Sequence, residues 1–243
     1  MNNSAITNKS CPEPGYLDAS VVDVLAPNLK WRLSGVTATV VRLVPIQAKE
    51  ISIAAVGPNL PFTVPQIRIR DLLFMSKEGP LGARVWHARR NNEMIVGLFL
   101  KMFLGKNLRL LFTSASQRRH TWISRLLMGQ MEAIVSTSKA TAAYLKRDSL
   151  VVHHGIDLDG FAPLDDCTPL RTKLGLPKTS LLIGCYGRIR FQKGTDVFVD
   201  AMLELLPRYP EVTAVVMGRA TAAHESFLQD LNNRVRAAGL KER

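Results

Sequence analysis

The sequence predicts an α/β fold with parallel sheets, divided into two units. Two observations carry this expectation. Short runs rich in β-branched residues alternate with helical patterns through most of the 243 residues, as strands joined by crossover helices do. That alternation breaks at residues 157–178, where Asp, Pro, Gly and Thr dominate, and it restarts cleanly afterwards, as expected across a domain boundary. The reading places an N-terminal Rossmann-like unit at 1–165, a linker at 166–178 and a second such unit at 179–243.

Taken in order, residues 21–25 read as a buried strand, and 26–35 as a turn-rich stretch. Residues 36–49 have the Thr/Val content of a strand, but Ser34 and Gly35 look like a helix entry and the segment is long, so a helix is expected. A strand follows at 51–56, closed by Gly57 and Pro58. Further on come a short strand at 84–87, an apolar helix at 93–104, a strand at 108–112 and a basic loop at 113–121. A helix at 122–128, a strand at 133–136, a helix at 139–147 and a strand at 150–153 complete the first unit. In the second, 180–186 is a strand, 187–194 a loop, and Thr195 is expected to cap a helix ending near Leu206, before Pro207 and Pro210. Residues 212–217 form another strand. An amphipathic helix at 224–238 then carries Phe227, Leu228, Leu231 and Val235 on one face, closed by Gly239. Two parallel strands cannot form a covered sheet, so this unit is expected to continue past Arg243, and the chain alone is expected to be inactive or incomplete.

Composition narrows the function classes. With 32 Lys+Arg against 20 Asp+Glu, the net charge of +12 favours anionic partners. Cys11, Cys167 and Cys185 are scattered, which argues against a disulfide framework and suits a reducing compartment. The N-terminus has no apolar signal core, and the most apolar run, 94–104, is interrupted by Lys101 and too short to span a bilayer. The expected location is cytoplasmic, with peripheral contact at the inner face of an anionic membrane as an option. No His/Cys/Asp/Glu cluster has metal-ligand spacing, so neither a metal nor a resident cofactor is expected.

The strongest chemical signal is LLIGCYGRIRFQKGT at 181–195. A strand enters a Gly-flanked turn carrying cations, which enters a helix start. Such a turn lets backbone approach a ligand and presents free N–H groups. Arg188 offers a planar fork for phosphate oxygens, and Lys193 a mobile charge. An ordinary strand-to-helix turn with surface cations is the alternative. Neither the P-loop pattern nor the dinucleotide fingerprint is present.

The segment VHHGIDLDGFAP at 152–163 resembles the "nGvDxxxFxP" signature of family-four retaining glycosyltransferases. At the usual distance follows "GxxGRxxxxKGxDxxxxA", carried by Gly184, Gly187, Arg188, Lys193, Gly194, Asp196 and Ala201. EAIVSTS at 132–138 resembles the strand before the first motif. Three further segments, PNLKWRLSGVT at 27–37, VWHARRN at 85–91 and FTSASQRRHT at 112–121, resemble lipopolysaccharide core mannosyltransferases of Gram-negative bacteria. The resemblance implies a GT-B fold and transfer of mannose, from GDP-mannose, to the lipopolysaccharide core. It makes Gly35, Gly187, Arg188 and Lys193 donor-binding, and places the family's Glu-x7-Glu region beyond Arg243. The family's histidine after the fourth strand is replaced here by FTS at 112–114, which leaves His120 a weak catalytic candidate.

Arg89, Arg118 and Arg119, with Arg90, suit a lipid-linked acceptor bearing carboxylates and phosphates; a solvated basic face is the alternative. His87 reads as a packed strand residue, and His153 and His154 as structural or donor-touching. Trp122, Ile123 and Leu126 beside Arg125 fit either a helix packed on the sheet, the favoured reading, or an anionic membrane interface. Rival functions are another nucleotide-sugar enzyme, such as an epimerase or sugar-phosphate synthase, and a basic nucleic-acid binder. The latter needs aromatics interleaved with the cations, whereas aromatics are only 7% and fall mostly in core-like positions, so no nucleic-acid partner is expected.

Overall fold

The computed structural model describes residues 15–31, 34–155, 157, 158 and 160–243. Cys11, and Ile156 and Asp159 of the first motif, lie outside the described residues. The chain forms two compact units that meet in sequence between residues 156 and 157.

In the first unit the described strands are β1 Val24–Pro27, β2 Ile53–Val56, β3 Gln66–Ile67, β4 Arg84–Ala88, β5 Leu108–Ser114, β6 Ala133–Ser136 and β7 Leu150–Val151. They pair in parallel in the order β3-β2-β1-β4-β5-β6-β7. Helices α1 Gly35–Gln47, α2 Asp71–Phe74, α3 Asn91–Met102, α4 Trp122–Gly129 and α5 Lys139–Ala143 connect them. Strand periodicity divides the core between two faces. Ile53 and Ala55 join one cluster, with Val40 and Val44 of α1. Ala54 and Val56 point the other way, into a larger cluster with Trp86, Met94, Leu100 and Met128. Helices therefore cover both sides of the sheet, as a parallel sheet requires.

Several elements differ from expectation. Val21 lies in a short 3-10 turn, Ala19–Val21, capped by Asp18, and the strand begins only at Val24. The helix at α1 forms as expected, with Ser34 accepting from the Thr37 amide as its cap and Pro45 accommodated inside. β3 and α2 had no counterpart in the sequence reading. Helix α5 stops at Ala143 rather than near 147, and Arg147 beyond its end donates to the Met128 and Met131 carbonyls. Helix α4 packs on the sheet as expected, through buried Met128 and partly buried Leu127, while Trp122 is 67% exposed and Leu126 60% exposed. The aromatics are not mostly internal. Trp86 and Phe112 are buried, while Trp31, Phe62, Phe74, Phe99, Phe103, Trp122, Tyr186 and Phe191 are exposed.

In the second unit, β8 Leu181–Tyr186 and β9 Val212–Met217 pair in parallel over six residues each. Helices α7 Thr195–Leu205 and α8 Glu225–Ala237 pack against them, and Met202, Leu206, Val212 and Leu240 form the core. Leu231 is the buried residue of α8, and Gly239, at φ 69°, closes that helix. The stretch before β8 carries a helix where none was expected, α6 Thr168–Lys173. Arg171 on it donates to the Pro177 and Ser180 carbonyls and so orders the approach to the strand.

Candidate functional site

Strand order creates the site. The chain lays β2 and β3 on one side of β1, then crosses to place β4 to β7 on the other. Loops leaving β1 and β4 at their carboxyl ends diverge at that switch, which is where open α/β sheets take ligands. A cavity of about 800 Å³ opens there. Its walls carry Lys30 after β1, Arg89 and Arg90 between β4 and α3, and Arg118, Arg119 and His120 after β5. Thr113 and Ser114 at the end of β5 add hydroxyls, and no carboxylate lines it among the described residues. Arg89, Arg118, Arg119 and His120, expected together from sequence, are thus brought together by the fold.

Arg90 does not act as a free cation. Its Nη1 donates to Glu93 Oε1 at 2.6 Å and to Asn28 Oδ1 at 2.9 Å, and its Nη2 to Ser34 Oγ at 2.8 Å and Thr37 Oγ1 at 3.1 Å. Glu93 is fully buried and also accepts from the Arg89 amide at 2.8 Å. One guanidinium therefore ties the end of β1, the start of α1 and the start of α3 across the switch. The sequence offered one signal for this, an acidic residue three positions after an arginine at a helix start. Asn28 Nδ2 is buried beside this network with no hydrogen-bond partner among the described residues.

Behind Arg89 lies a second chain of contacts. Its guanidinium donates to the His87 carbonyl at 3.2 Å and to His87 Nδ1 at 3.4 Å. Because a guanidinium can only donate, Nδ1 accepts, and the proton sits on Nε2, which meets Thr113 Oγ1 at 2.6 Å. Burial, aided by the Arg89 charge, drives the His87 pKa down to about 3, so the ring is neutral. Burial likewise brings Arg89 down to about 10, with Glu93 opposing and Arg90 adding to the shift, and it stays cationic near neutrality. His87 is the packed strand residue expected, and the fold links it to a hydroxyl in the cavity wall. His120 stands 3.5 Å from Ser114 Oγ, its pKa lowered by burial and then by Arg118. Gly35 opens α1, and among the described residues beyond its neighbours and its own helix no atom lies within 4 Å of where its Cβ would stand, so packing against them does not require a glycine there. His153 and His154 are exposed after β7.

In the second unit the β8–α7 turn is built on glycine. Gly187 has φ 137° and Gly194 φ 67°, conformations that side chains disfavour. A Cβ on Gly218 would lie 1.7 Å from the Gly187 carbonyl oxygen, and the Gly187 amide donates to the Met217 carbonyl at 2.9 Å. The two strand-end loops are thereby held in contact. Arg188 and Lys193 are both exposed on this turn. Thr195 does not cap α7: it is the first helical residue and buried, Gly194 occupies the cap position, and no side chain bonds the helix start. Arg190 Nε and Asp196 Oδ1, near this turn in sequence, are buried with no hydrogen-bond partner among the described residues. Cys167 and Cys185 are free thiols. Among the described residues, no three His, Cys, Asp or Glu side chains converge to hold a metal, and no helix is long and apolar enough to cross a membrane.

Comparison with known proteins adds identity to this geometry. The crystal structure of HepE from Anabaena, in complex with UDP and glucose, matches with a TM-score of 0.70 over 91% of this chain and 68% of that one, at 14% identity. The fold is of the GT-B type. The chain is 49% identical over 230 residues to the lipopolysaccharide core biosynthesis mannosyltransferase LpsB of Rhizobium meliloti (strain 1021), a match over 93% of this chain and 65% of that protein. It is 47% identical over 228 residues to the lipopolysaccharide core biosynthesis mannosyltransferase LpcC of Rhizobium leguminosarum bv. viciae, over 93% and 64% respectively. The chain is thus homologous to lipopolysaccharide core mannosyltransferases and spans just under two thirds of their length. No protein-family model matches it.

Proposed function

We propose that the chain serves a retaining glycosyltransferase that moves mannose from GDP-mannose to an anionic lipopolysaccharide core acceptor. The observation that carries this reading is the cationic cavity at the switch point, with no carboxylate among its described lining residues, in a chain homologous along 93% of its length to transferases so named. The donor diphosphate is assigned to Arg188, Lys193 and the free amides at the start of α7, with Gly187 letting the backbone come close. In the reaction the anomeric C–O bond breaks heterolytically, its electron pair leaves with GDP, and an oxocarbenium-like centre forms. The acceptor hydroxyl attacks that centre from the same face and passes its proton to the departing diphosphate oxygen beside it, so configuration is retained. Fixed cations and amides aimed at the leaving group act where charge develops, and this reading gives that task to side chains rather than to a metal.

Arg89, Arg118 and Arg119 are assigned to the acceptor's carboxylate or phosphate groups, since guanidinium forks match such oxyanions. The outward Trp122, Ile123 and Leu126 of α4, beside Arg125, give a face suited to the surface of an anionic membrane on the cytoplasmic side. His120 remains a weak catalytic candidate, because its lowered pKa leaves it a neutral base in the cavity wall.

The test is titration of GDP-mannose and UDP-glucose into the protein and its Arg188→Ala/Lys193→Ala variant, followed by transfer of labelled mannose to isolated lipopolysaccharide core. Loss of charged hydrogen bonds predicts roughly 100-fold weaker donor binding and an α-linked product from the wild type. Unchanged donor affinity and turnover in the variant would refute the assignment.

A further inference from the structure

A second cavity, of about 440 Å³, opens at the carboxyl ends of β1, β2 and β3. Its walls include Tyr16, Trp31 and Arg68, with Arg70 at its edge and no carboxylate among the described lining residues. Trp31 immediately follows Lys30, which lines the switch-point cavity. The two cavities therefore flank consecutive residues of the loop after β1, on the same edge of the sheet.

The aromatic wall is built to stay in place. Trp31 is 75% exposed, yet its carbonyl accepts from Asn59 Nδ2 at 3.2 Å. Asn59 sits at φ 54°, the left-handed conformation that asparagine tolerates better than most residues. The preceding Gly57 lies so close to Asn28 that a Cβ would stand 2.1 Å from the Asn28 carbonyl oxygen. These contacts lock the loop after β2 against the loop after β1. Trp31 thus presents a largely exposed indole at the wall of a cavity, on a backbone tied to the loop after β2. Opposite it, Tyr16 meets Phe62 edge-on at 6.4 Å, and the Arg68 guanidinium lies 5.1 Å over the Tyr16 ring. A guanidinium stacked this way keeps its edge N–H groups open to an oxyanion. The Asp71 carboxylate accepts from the Arg68 amide and lies 3.9 Å from Arg70 Nε, and with Asp18 it lines an adjoining cavity that Tyr16 and Arg68 share.

Aromatic faces that stack on the C–H face of a pyranose, beside a guanidinium fork, suit a sugar ring carrying a negative charge. We propose that the Trp31–Tyr16–Arg68 cavity is a second saccharide subsite, holding an acidic sugar residue of the acceptor one or more units away from the residue that receives the new linkage. The anionic group is a carboxylate or a phosphate ester. This inference rests on the acceptor reading above and extends it: the acceptor runs along the sheet edge, past Lys30, from one cavity to the other.

The chain has three tryptophans, Trp31, Trp86 and Trp122, so an 15N-labelled sample gives three indole N–H signals, and Trp31→Phe assigns the one in question. Tetragalacturonate, a monophosphorylated maltotetraose, neutral maltotetraose and the oligonucleotide dT8 are titrated in turn. Movement of the Trp31 signal with either acidic sugar, at least about ten-fold weaker in Arg68→Ala and retained in Arg118→Ala/Arg119→Ala, supports the subsite, and the two acidic probes tell carboxylate from phosphate. An equal response to neutral maltotetraose, a response to dT8 alone, dependence on Arg118 and Arg119 instead of Arg68, or no movement with any probe overturns it. The buried Trp86 signal, unmoved in Arg68→Ala, reports that the variant is folded. Because this readout needs no turnover, a protein that transfers mannose but shows a still Trp31 signal defeats this inference alone.

Discussion

Replacing Arg90 with leucine is expected to destabilise the first unit by about 3–5 kcal/mol. Glu93 is fully buried, and the Arg90 side chain that pairs with it is only 10% exposed. Removing the arginine leaves a buried carboxylate whose remaining hydrogen bond is the Arg89 amide, and uncompensated buried charges carry penalties of about that size. Asn28, Ser34 and Thr37 lose a shared donor in the same step. Against a typical total of about 5–15 kcal/mol, the loss is a large fraction. At roughly 2–4 °C per kcal/mol for a chain of this size, the midpoint falls by about 6–20 °C. The assay is urea unfolding followed by tryptophan fluorescence, to which Trp86 contributes directly because its indole N–H donates to the Glu93 carbonyl at 2.8 Å. The double variant Arg90→Leu/Glu93→Leu removes both charges and is expected to recover much of the loss. A single variant that loses less than about 1 kcal/mol, with an unchanged denaturant slope, would show that the switch-point clamp is not what holds these three elements together.

Three further outcomes follow from particular contacts. His87 has a pKa near 3 when folded against 6.5 for the free side chain, so the unfolded chain takes up a proton below pH 6.5 that the folded one refuses until about pH 3. Stability is therefore expected to fall as pH drops through that window, by up to about 1.4 kcal/mol per pH unit, and His87→Gln is expected to flatten the slope measured by denaturation at pH 4.5 to 7. Gly218→Ala forces its Cβ onto the Gly187 carbonyl and must move the cationic turn; titration of GDP-mannose is expected to show at least ten-fold weaker binding with an unchanged Trp86 indole signal, and equal affinity would count against the donor assignment. Trp122→Ser/Leu126→Ser removes exposed apolar area from α4, so co-sedimentation with phosphatidylglycerol vesicles is expected to drop while the melting midpoint stays within about 2 °C; unchanged sedimentation would remove the membrane face from the proposed function.

The α/β alternation, the six strands at β1, β2, β4, β5, β6 and β7, and all four elements around the cationic turn were legible because each rests on local chemistry. β-branched runs favour extended backbone, Ser34 caps the helix that follows it, and glycine admits the conformations at Gly187 and Gly194. β3 and α2 were not legible, since two and four residues are too few to establish a period. That α4 packs through Met128 yet leaves Trp122 and Leu126 outward was not legible either, for a related reason. A helical pattern gives the direction of an apolar stripe but not whether another layer of the protein lies over it.

Sequence by itself therefore determined the class of the fold, the order of its elements and the glycine-flanked, cationic make-up of the β8–α7 turn, because near neighbours decide these through sterics and hydrogen bonding. Tertiary structure decided which cations act together. Arg90 and Asn28 are 62 positions apart, and they meet only because β4 pairs with β1 rather than with β3. That pairing converts Arg90 into a buried clamp and gathers Arg89, Arg118 and Arg119 around one cavity. It also leaves Trp31 and Arg68 facing another, a distinction that composition and spacing cannot make.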